Sequence, residues 1–123
     1  MTVLAGLAGL ITRDPAVKQA LSGSIDTLAC PEAARSAVLA AIAQSSGRQT
    51  LVVLPTGTAA EHLADDLAGF TDGVELFPAW ETLPFERVSP TVETMGQRLA
   101  VIENLDRIKV VVTSVRALLQ RLG

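Results

Sequence analysis

The sequence predicts an α/β fold in which a small parallel sheet of about four strands is flanked by helices. Short apolar runs alternate along the chain with longer amphipathic stretches, and such alternation produces βαβ units with parallel strands. Two of the runs, Thr50–Leu54 and residues 108–113, are almost wholly apolar, as is typical of strands buried on both faces. With 123 residues, of which 49% are hydrophobic and 19% charged, the chain can form one modest domain.

The first half of the chain is predicted to hold three helices and two strands. Apolar residues recur at helical spacing in residues 3–11, which indicates a short core-facing helix rather than a signal peptide. Asp14 and Pro15 are a cap and a first helical residue, and this helix is predicted to end near Ser22 and Gly23. The remaining elements are a strand over residues 25–30, a helix over residues 32–44 with Val38, Leu39 and Ile42 on one stripe, and the strand Thr50–Leu54.

The second half is predicted to add three helices and two strands. Residues 58–70 form a helix, Val74–Phe77 a strand, residues 90–105 a helix, residues 108–113 a strand, and residues from the Ser114 cap to Leu122 a helix. The predicted core stripes of the two long helices are Ala60, Leu63, Leu67 and Phe70 in the first and Val92, Met95, Leu99 and Ile102 in the second. Gly96 lies inside the second of these helices, where it indicates close approach of another backbone.

Composition narrows the classes of function. The net charge of −3 argues against a broad basic footprint for DNA. The single cysteine, Cys30, allows no internal disulfide, which suits a reducing cytoplasm. No apolar run reaches the length of about 18 residues that spans a bilayer, so we expect a cytoplasmic protein without membrane contact.

The turn after the predicted first strand is where a nucleotide-binding α/β fold holds its phosphate loop. A working loop reads G-x-x-x-x-G-K-[ST], because glycines let backbone amides wrap the phosphates and the lysine neutralises charge. Here the glycine and lysine positions are replaced and only the last position fits; the residues are Ala29, Ala34, Arg35 and Ser36. Pro31 removes an amide donor, and Glu32 places negative charge beside the phosphate position. The sequence therefore predicts a degenerate loop that holds no nucleotide, cofactor or metal.

The other candidate catalytic or metal-binding side chains are interpreted as structural or surface residues. Cys30 and His62 lack a third catalytic member, so we expect a small buried cysteine and a histidine on the polar face of its helix. The carboxylates Glu61, Asp65 and Asp66 are expected on a solvated helical face, since no further metal ligand is in register. The basic residues of the last third are interpreted as scattered surface charges; they are Arg98, Arg107, Lys109, Arg116 and Arg121.

Residues 77–90 are the most distinctive part of the sequence. They contain the only Trp, two of the three Phe and three of the six Pro. Prolines at this spacing forbid a regular helix or a central strand, yet the segment is too apolar for a solvated linker. It is predicted to be an ordered loop across the end of the sheet that packs through Trp80, Leu83 and Phe85. A role for Trp80 in stacking on a base is the alternative.

The same segment resembles a known family. The motif consists of Trp80, Glu81, Thr82, Leu83, Pro84 and Phe85, followed by Ser89 and Pro90 and then by Gln97, Arg98 and Leu99. This order is similar to the N-terminal region of the bacterial transcription-repair coupling factors, the Mfd family. The resemblance continues through residues 110–115 and 118–121, where the family has an apolar strand, a polar turn and an L-x-Q-R-like helix. It is specific over residues 77–121 and weak before residue 50.

The resemblance implies a fold and a set of partners. It identifies residues 1–123 as part of a UvrB-like first domain, a RecA-like lobe whose phosphate loop has been lost, in a parent chain that continues. The parent would use ATP and Mg²⁺ in other domains, translocate on DNA, release RNA polymerase stalled at a lesion, and recruit UvrA for nucleotide excision repair. This lobe would contact the remainder of its own chain and have no catalytic residues.

Two alternatives from other classes remain at this point. A small ligand-binding or NTPase domain would need a polar constellation at residues 29–36, 55–58 and 78–82. The last two stretches offer Thr56, Thr58, Glu81 and Thr82. A stand-alone DNA-binding module is the second alternative, and the acidic net charge argues against it.

Overall fold

The computed structural model describes residues 5–79 and 92–120. Six α-helices lie in these ranges: α1 Ala5–Ile11, α2 Pro15–Ser22, α3 Arg35–Ser46, α4 Gly57–Ala68, α5 Val92–Glu103 and α6 Val115–Leu119. Three strands accompany them: β1 Thr50–Leu54, β2 Val74–Phe77 and β3 Val110–Ser114. Short 3₁₀ turns at Glu32–Ala34 and Leu105–Arg107 precede α3 and β3.

The strands form one parallel sheet in the order β1-β3-β2. β3 lies in the centre, and all five of its residues are buried. Val111 is level with Leu51 of β1 and with Glu75 of β2, so these three side chains share one face of the sheet. The predicted α/β class with a small parallel sheet is confirmed, with three strands in the described residues instead of about four.

The prediction of a strand over residues 25–30 is wrong. This stretch is irregular, with Ile25 and Leu28 half-buried and the residues between them exposed. A strand requires hydrogen bonds to a neighbouring strand, and β1 and β2 both pair with β3 rather than with this segment. The two polar residues at its centre, Asp26 and Thr27, also interrupt the apolar run.

Local capping chemistry sets both ends of α2 where the sequence predicts them. The Asp14 carboxylate accepts a hydrogen bond from the Ala16 amide at 2.8 Å, Pro15 opens α2, and Gly23 ends it with φ of 78°. Gly47 ends α3 with φ of 63°. Glycine is favoured at both ends because it alone adopts this left-handed backbone without strain.

One face of the sheet packs on α3 and α4. The core there is formed by Ala40, Ala41, Ala43, Leu54, Ala60, Leu63, Leu67, Val110 and Val112. The predicted inner stripe of α4 is thus confirmed, with Phe70 packing at its margin. In α3 the alanine side is buried, whereas the predicted stripe of Val38, Leu39 and Ile42 is half-buried, with Leu39 packed against the core. α1 and α2 pack against α3.

The opposite face of the sheet packs on α5 and α6 through Phe77, Val101, Ile108, Val111 and Ala117. The stripe predicted for α5 is wrong. Val92 is 89% exposed, and Leu99 and Ile102 are also exposed. The buried side of α5 consists instead of Thr94, Arg98 and Val101.

Two further expectations about close packing are also wrong. Among the described residues, no atom lies within 4 Å of the place where a Cβ would stand at Gly96, so no described backbone segment approaches closely there. β1 is not buried on both faces, because Leu51 is 58% exposed and Val53 is 43% exposed. As an edge strand, β1 extends beyond the cover that α5 and α6 give to this face.

A tight turn leads into β2. Gly73 has φ of 73°, and its carbonyl accepts hydrogen bonds from the amides of Lys109 and Val110 at 2.9 and 3.0 Å. A Cβ at Gly73 would lie 3.0 Å from Cγ of Lys109. Glycine is therefore required here both by the backbone conformation and by the space. Within the described residues, no helix has the length and apolar character needed to cross a bilayer.

Candidate functional site

The carboxyl ends of the three strands meet at a surface cavity of about 430 Å³. Parallel sheets of α/β proteins bind ligands at this edge, so it is the first candidate for a functional site. The polar residues that line it are Thr56, Thr58, Glu61, Ser114 and Arg116. Pro78 and Ala79, which follow β2, complete one wall.

Two hydroxyls at this edge serve as helix caps. Oγ1 of Thr56 accepts a hydrogen bond from the Ala59 amide at 3.1 Å and starts α4. Oγ of Ser114 accepts one from the Ala117 amide at 3.2 Å and starts α6. These bonds satisfy amides that have no partner inside their own helices. The hydroxyls therefore have a structural role, which accounts for Thr and Ser at the ends of β1 and β3.

The residues of the predicted degenerate loop lie elsewhere. None of residues 29–36 lines the cavity. Ala29, Pro31, Glu32 and Arg35 are exposed, Ala34 is half-buried and Ser36 is buried at the start of α3. The loop also lacks the strand that was expected to lead into it, so the strand–turn–helix geometry of a phosphate loop is missing here.

The remaining predicted side chains are mostly on the surface. Cys30 is exposed, so its predicted burial is wrong. His62, Glu61, Asp65 and Asp66 are exposed on the outer side of α4, as predicted. Among the described residues, no three potential metal ligands come together. Of the polar constellation required by a small ligand-binding domain, residues 55–58 and 78–79 do meet, while Glu81 and Thr82 lie outside the described residues.

The prediction that Arg98 is a surface charge is wrong. Arg107, Lys109 and Arg116 are exposed, as predicted for scattered surface charges, but the Arg98 side chain is completely buried. Its guanidinium lies over the ring of Phe77, 4.3 Å from the centroid. A signal was present in the sequence, because Arg98 belongs to the motif that carries the family resemblance.

The Arg98 guanidinium joins three parts of the chain. Nη1 donates a hydrogen bond to the Pro78 carbonyl at 2.6 Å, just after β2. The Ala117 carbonyl of α6 accepts at 3.4 Å, and the Gln120 carbonyl accepts from Nη2 at 3.4 Å. The planar fork of arginine suits several acceptors at once. α5 thereby holds both the exit of β2 and the end of α6.

Burial has an electrostatic consequence for this group. Desolvation lowers the pKa of Arg98, because removal from water disfavours the charged form. The backbone carbonyls and the electron-rich face of Phe77 compensate for the lost hydration. The arrangement is suited to fixing backbone segments.

The other motif residues lie outside the described residues. They are Trp80, Glu81, Thr82, Leu83, Pro84, Phe85, Ser89 and Pro90. Arg121 also lies outside them. The predicted packing of Trp80 against the sheet therefore stays a prediction.

The known proteins that this chain matches all carry the same name. No known protein-family profile matches the chain. The transcription-repair-coupling factor of Mycobacterium tuberculosis is 42% identical over 134 aligned residues, which cover 97% of this chain and 11% of that protein. The corresponding Mycobacterium bovis protein matches to the same extent. The Escherichia coli transcription-repair-coupling factor is 29% identical over 107 residues, covering 85% of this chain and 9% of that protein.

The matches agree with the resemblance that the sequence suggests. The chain spans about one tenth of the length of these relatives. A fourth match, from Haemophilus influenzae, is 33% identical over 66% of this chain and carries the same name. Together these similarities show that the chain belongs to the family of transcription-repair-coupling factors.

Proposed function

We propose that this chain is an N-terminal structural and interaction module of a cytoplasmic transcription-repair-coupling factor, without catalytic activity of its own. The observation that carries the proposal is the 42% identity over 97% of the chain. An alignment of this extent runs through every described helix and strand, so it applies to the whole chain and not to one motif.

The proposal includes a specific kind of domain. Residues 1–123 are part of a UvrB-like, RecA-like lobe whose phosphate loop is degenerate. The parallel sheet with helices on both faces supports this assignment. Residues 29–36 follow no described strand and do not line the cavity at the carboxyl edge of the sheet. Ala29, Pro31, Glu32 and Ala34 also differ from a working loop, and both observations support the absence of nucleotide binding by this segment.

The activity of the parent protein follows from the same proposal. The parent recognises RNA polymerase stalled at a DNA lesion, releases it by ATP-driven translocation on DNA, and recruits UvrA to begin excision repair. ATP and Mg²⁺ are bound by other domains of the parent. In this scheme the present chain is a platform, and Arg98 contributes by holding the ends of β2 and α6 in place.

A chimaera tests the proposed function. The matching segment of the M. tuberculosis factor is replaced by this sequence, and the ATP-dependent release of stalled RNA polymerase is measured. We expect release at a rate within about twofold of the parent, because the two segments are 42% identical over 97% of this chain. A matched chimaera with Val112→Asp, which places a charge in the fully buried centre of β3, should lose release. A folded chimaera that hydrolyses ATP but never releases polymerase would contradict the proposal.

Nucleotide binding is tested on the chain alone. Calorimetric titration with Mg-ATP at millimolar concentration is expected to show no binding. The triple variant Glu32→Gly, Ala34→Gly, Arg35→Lys should not gain hydrolysis, because the second half of an ATPase cleft is supplied by another domain. Saturable binding at micromolar concentration would overturn the degenerate-loop assignment.

A pull-down tests the partner. The chain alone is expected not to capture UvrA, since a stable interface needs roughly 800 Å² per partner and is usually anchored by aromatic side chains. Of the described aromatic side chains, Phe77 is buried and Phe70 is half-buried. A longer polypeptide that extends about a hundred residues further, the size of a typical additional domain, should capture UvrA. Equal capture by both would show that this lobe itself carries the contact.

A further inference from the structure

We propose that a basic cavity at the amino end of the sheet contacts the phosphate backbone of duplex DNA. The name basic cavity is used here for the surface depression whose polar lining consists of Gln44, Arg48, Gln49, Asp106, Arg107 and Lys109. The choice of DNA as the partner rests on the proposed function, because that function places the chain in a protein that moves along DNA. The preference of the cavity for an anion follows from its own charges.

The basic cavity has a volume of about 570 Å³ and lies where β1 and β3 begin. Arg48, Arg107 and Lys109 are exposed in it, and Asp106 is the one carboxylate among the described residues that line it. Three cations against one carboxylate leave an excess of two positive charges, in a chain whose net charge is −3. Within residues 5–79 and 92–120, no carboxylate forms an ion pair with these cations. Arg107 and Lys109 are therefore surface charges, as predicted, that gather with Arg48 at one place.

Several carboxylates of the chain lie on a different surface. Glu61, Asp65 and Glu75 line the depression between α4 and β2, and Asp66 is exposed on the same helix. An uneven distribution of charge orients a polyanion, because one surface attracts it and the other repels it. A chain of acidic net charge can thus present one local contact for DNA without a broad basic footprint.

Hydrogen bonds fix the backbone beneath the cations. Nε2 of Gln49 donates to the carbonyls of Leu105 and Ile108, the latter at 2.9 Å, and so joins the start of β1 to the turn before β3. The Arg48 amide donates to Oγ of Ser46 at 3.2 Å. Two parts of the chain that are far apart in sequence thereby bring their cations to one cavity. Because this backbone is fixed before an anion arrives, less conformational entropy is lost on binding.

The phosphates of a nucleic acid fit this surface better than a protein partner does. Two of the three cations are arginines, whose planar guanidinium can donate two parallel hydrogen bonds to one phosphate. The apolar residues in the lining, Ala43 and Ile108, are buried, so they offer no exposed apolar anchor to a protein. The described lining also has no aromatic side chain on which a base could stack. The contact is therefore electrostatic and independent of base sequence.

Two charge-matched variants of the 123-residue chain test this inference. The cavity variant is Arg48→Gln, Arg107→Gln, Lys109→Gln, which removes the three cations. The control variant is Arg13→Gln, Lys18→Gln, Arg35→Gln, which changes the net charge equally at exposed positions that do not line the cavity. Thermal unfolding of both variants confirms that they are folded. If the cavity variant unfolds, the single variants Arg48→Gln and Lys109→Gln are measured in its place.

The measurement is the fluorescence anisotropy of a labelled DNA duplex of about 20 base pairs at several salt concentrations. We expect weak binding by the wild type, with a slope of log affinity against log salt concentration of about −2 to −3, as for two or three phosphate contacts. The cavity variant should bind at least about tenfold more weakly and lose most of this slope, whereas the control variant should stay within about threefold of the wild type. Each single variant should lose about threefold and reduce the slope by about 1.

Three results would refute the basic cavity as a DNA contact. Equal losses in the cavity and control variants would show that bulk charge alone explains the binding. Absence of saturable binding by the wild-type chain at about 20 mM salt would show that the cavity does not hold the backbone. Displacement of the labelled duplex by poly-glutamate as effectively as by unlabelled DNA would identify an acidic polypeptide as the partner.

The outcome for the proposed function is separate. In the full-length chimaera described above, the cavity variant should make the salt dependence of DNA binding shallower by about 2, and the control variant should leave it unchanged. A chimaera that fails to release RNA polymerase, combined with a loss of DNA binding confined to the cavity variant, would support the basic cavity and refute the proposed function. A chimaera that releases polymerase, combined with equal DNA binding by the two variants, would refute the basic cavity alone.

Discussion

Replacement of the buried arginine, Arg98→Met, is expected to destabilise the chain by about 2–4 kcal/mol. Methionine keeps most of the volume and the flexible apolar stem, so the change removes the charge and its hydrogen bonds with little new cavity. The bonds that are lost include the 2.6 Å contact with the Pro78 carbonyl and the longer contacts with the carbonyls of Ala117 and Gln120.

Two opposing effects decide how much Arg98→Met changes the free energy of unfolding. A hydrogen bond from a charged donor contributes about 1.5–3 kcal/mol net, and a cation over an aromatic ring adds about 0.5–2 kcal/mol. Against this, replacement of buried charges by apolar groups is often neutral or stabilising, because the desolvation penalty disappears. That gain requires both partners to be replaced. Here the partners of Arg98 include main-chain carbonyls, which stay in place and lose their donor, so the destabilising effect dominates.

The measurement is equilibrium unfolding in urea of the wild type and of Arg98→Met. Arg107→Met is the matched control, because Arg107 is exposed, and its effect is expected to stay within about 0.5 kcal/mol. Arg98→Lys should be intermediate, since one ammonium cannot reach carbonyls on opposite sides as the guanidinium fork does. An Arg98→Met variant as stable as the wild type would refute this reasoning and would show that desolvation governs the site.

Three other perturbations are expected to have measurable effects on stability. Gly73→Ala should cost about 1 kcal/mol more than Gly47→Ala, because both residues have positive φ but only at Gly73 would the Cβ lie close to an atom, Cγ of Lys109 at 3.0 Å; equal losses in urea unfolding would contradict the steric argument. Thr56→Ala should cost about 1 kcal/mol through loss of the α4 cap, and an unchanged unfolding midpoint would show that the cap is dispensable. Trp80→Ala should cost on the order of 3 kcal/mol or more; water-exposed Trp fluorescence and an unchanged melting temperature would instead identify Trp80 as a surface contact.

Elements whose ends are set by local chemistry were predictable from the sequence. Asp14 and Pro15 start α2, and Gly23 ends it, because the capping bonds involve residues only a few positions apart. The strand Thr50–Leu54 was predicted with its observed bounds, since an apolar run between turn residues is short enough to be a strand and too short for a helix.

The face of a helix that becomes buried was not predictable in the same way. The sequence favours the apolar stripe of α5 that includes Val92 and Leu99, and the structure buries Arg98 instead. The carbonyl partner of that arginine at Pro78 lies 20 positions away in the sequence. An arginine is buried only when such acceptors are in place, and periodicity within one helix contains no information about them.

The formation and burial of a strand also depend on partners that are distant in the sequence. Residues 25–30 and β1 are both short apolar runs, yet only β1 has a strand beside it to supply hydrogen bonds. Even for β1 the sequence overestimated burial, because it does not reveal that this strand lies at an edge. The exposed Leu51 and Val53 are therefore consistent with a sequence suited to a larger sheet than the three described strands provide.

The carboxyl edge of the sheet uses several of its polar groups to hold the chain's own backbone. In ligand-binding α/β domains, helix amides and hydroxyls at this edge are directed at phosphates or other anions. Here the hydroxyls of Thr56 and Ser114 accept hydrogen bonds from helix amides of the chain itself. The buried cation nearby, Arg98, donates to backbone carbonyls. These groups stabilise the first turns of α4 and α6 and the segment that follows β2. Mutation of any of them should therefore lower the stability of the domain more than it changes the affinity for a small ligand.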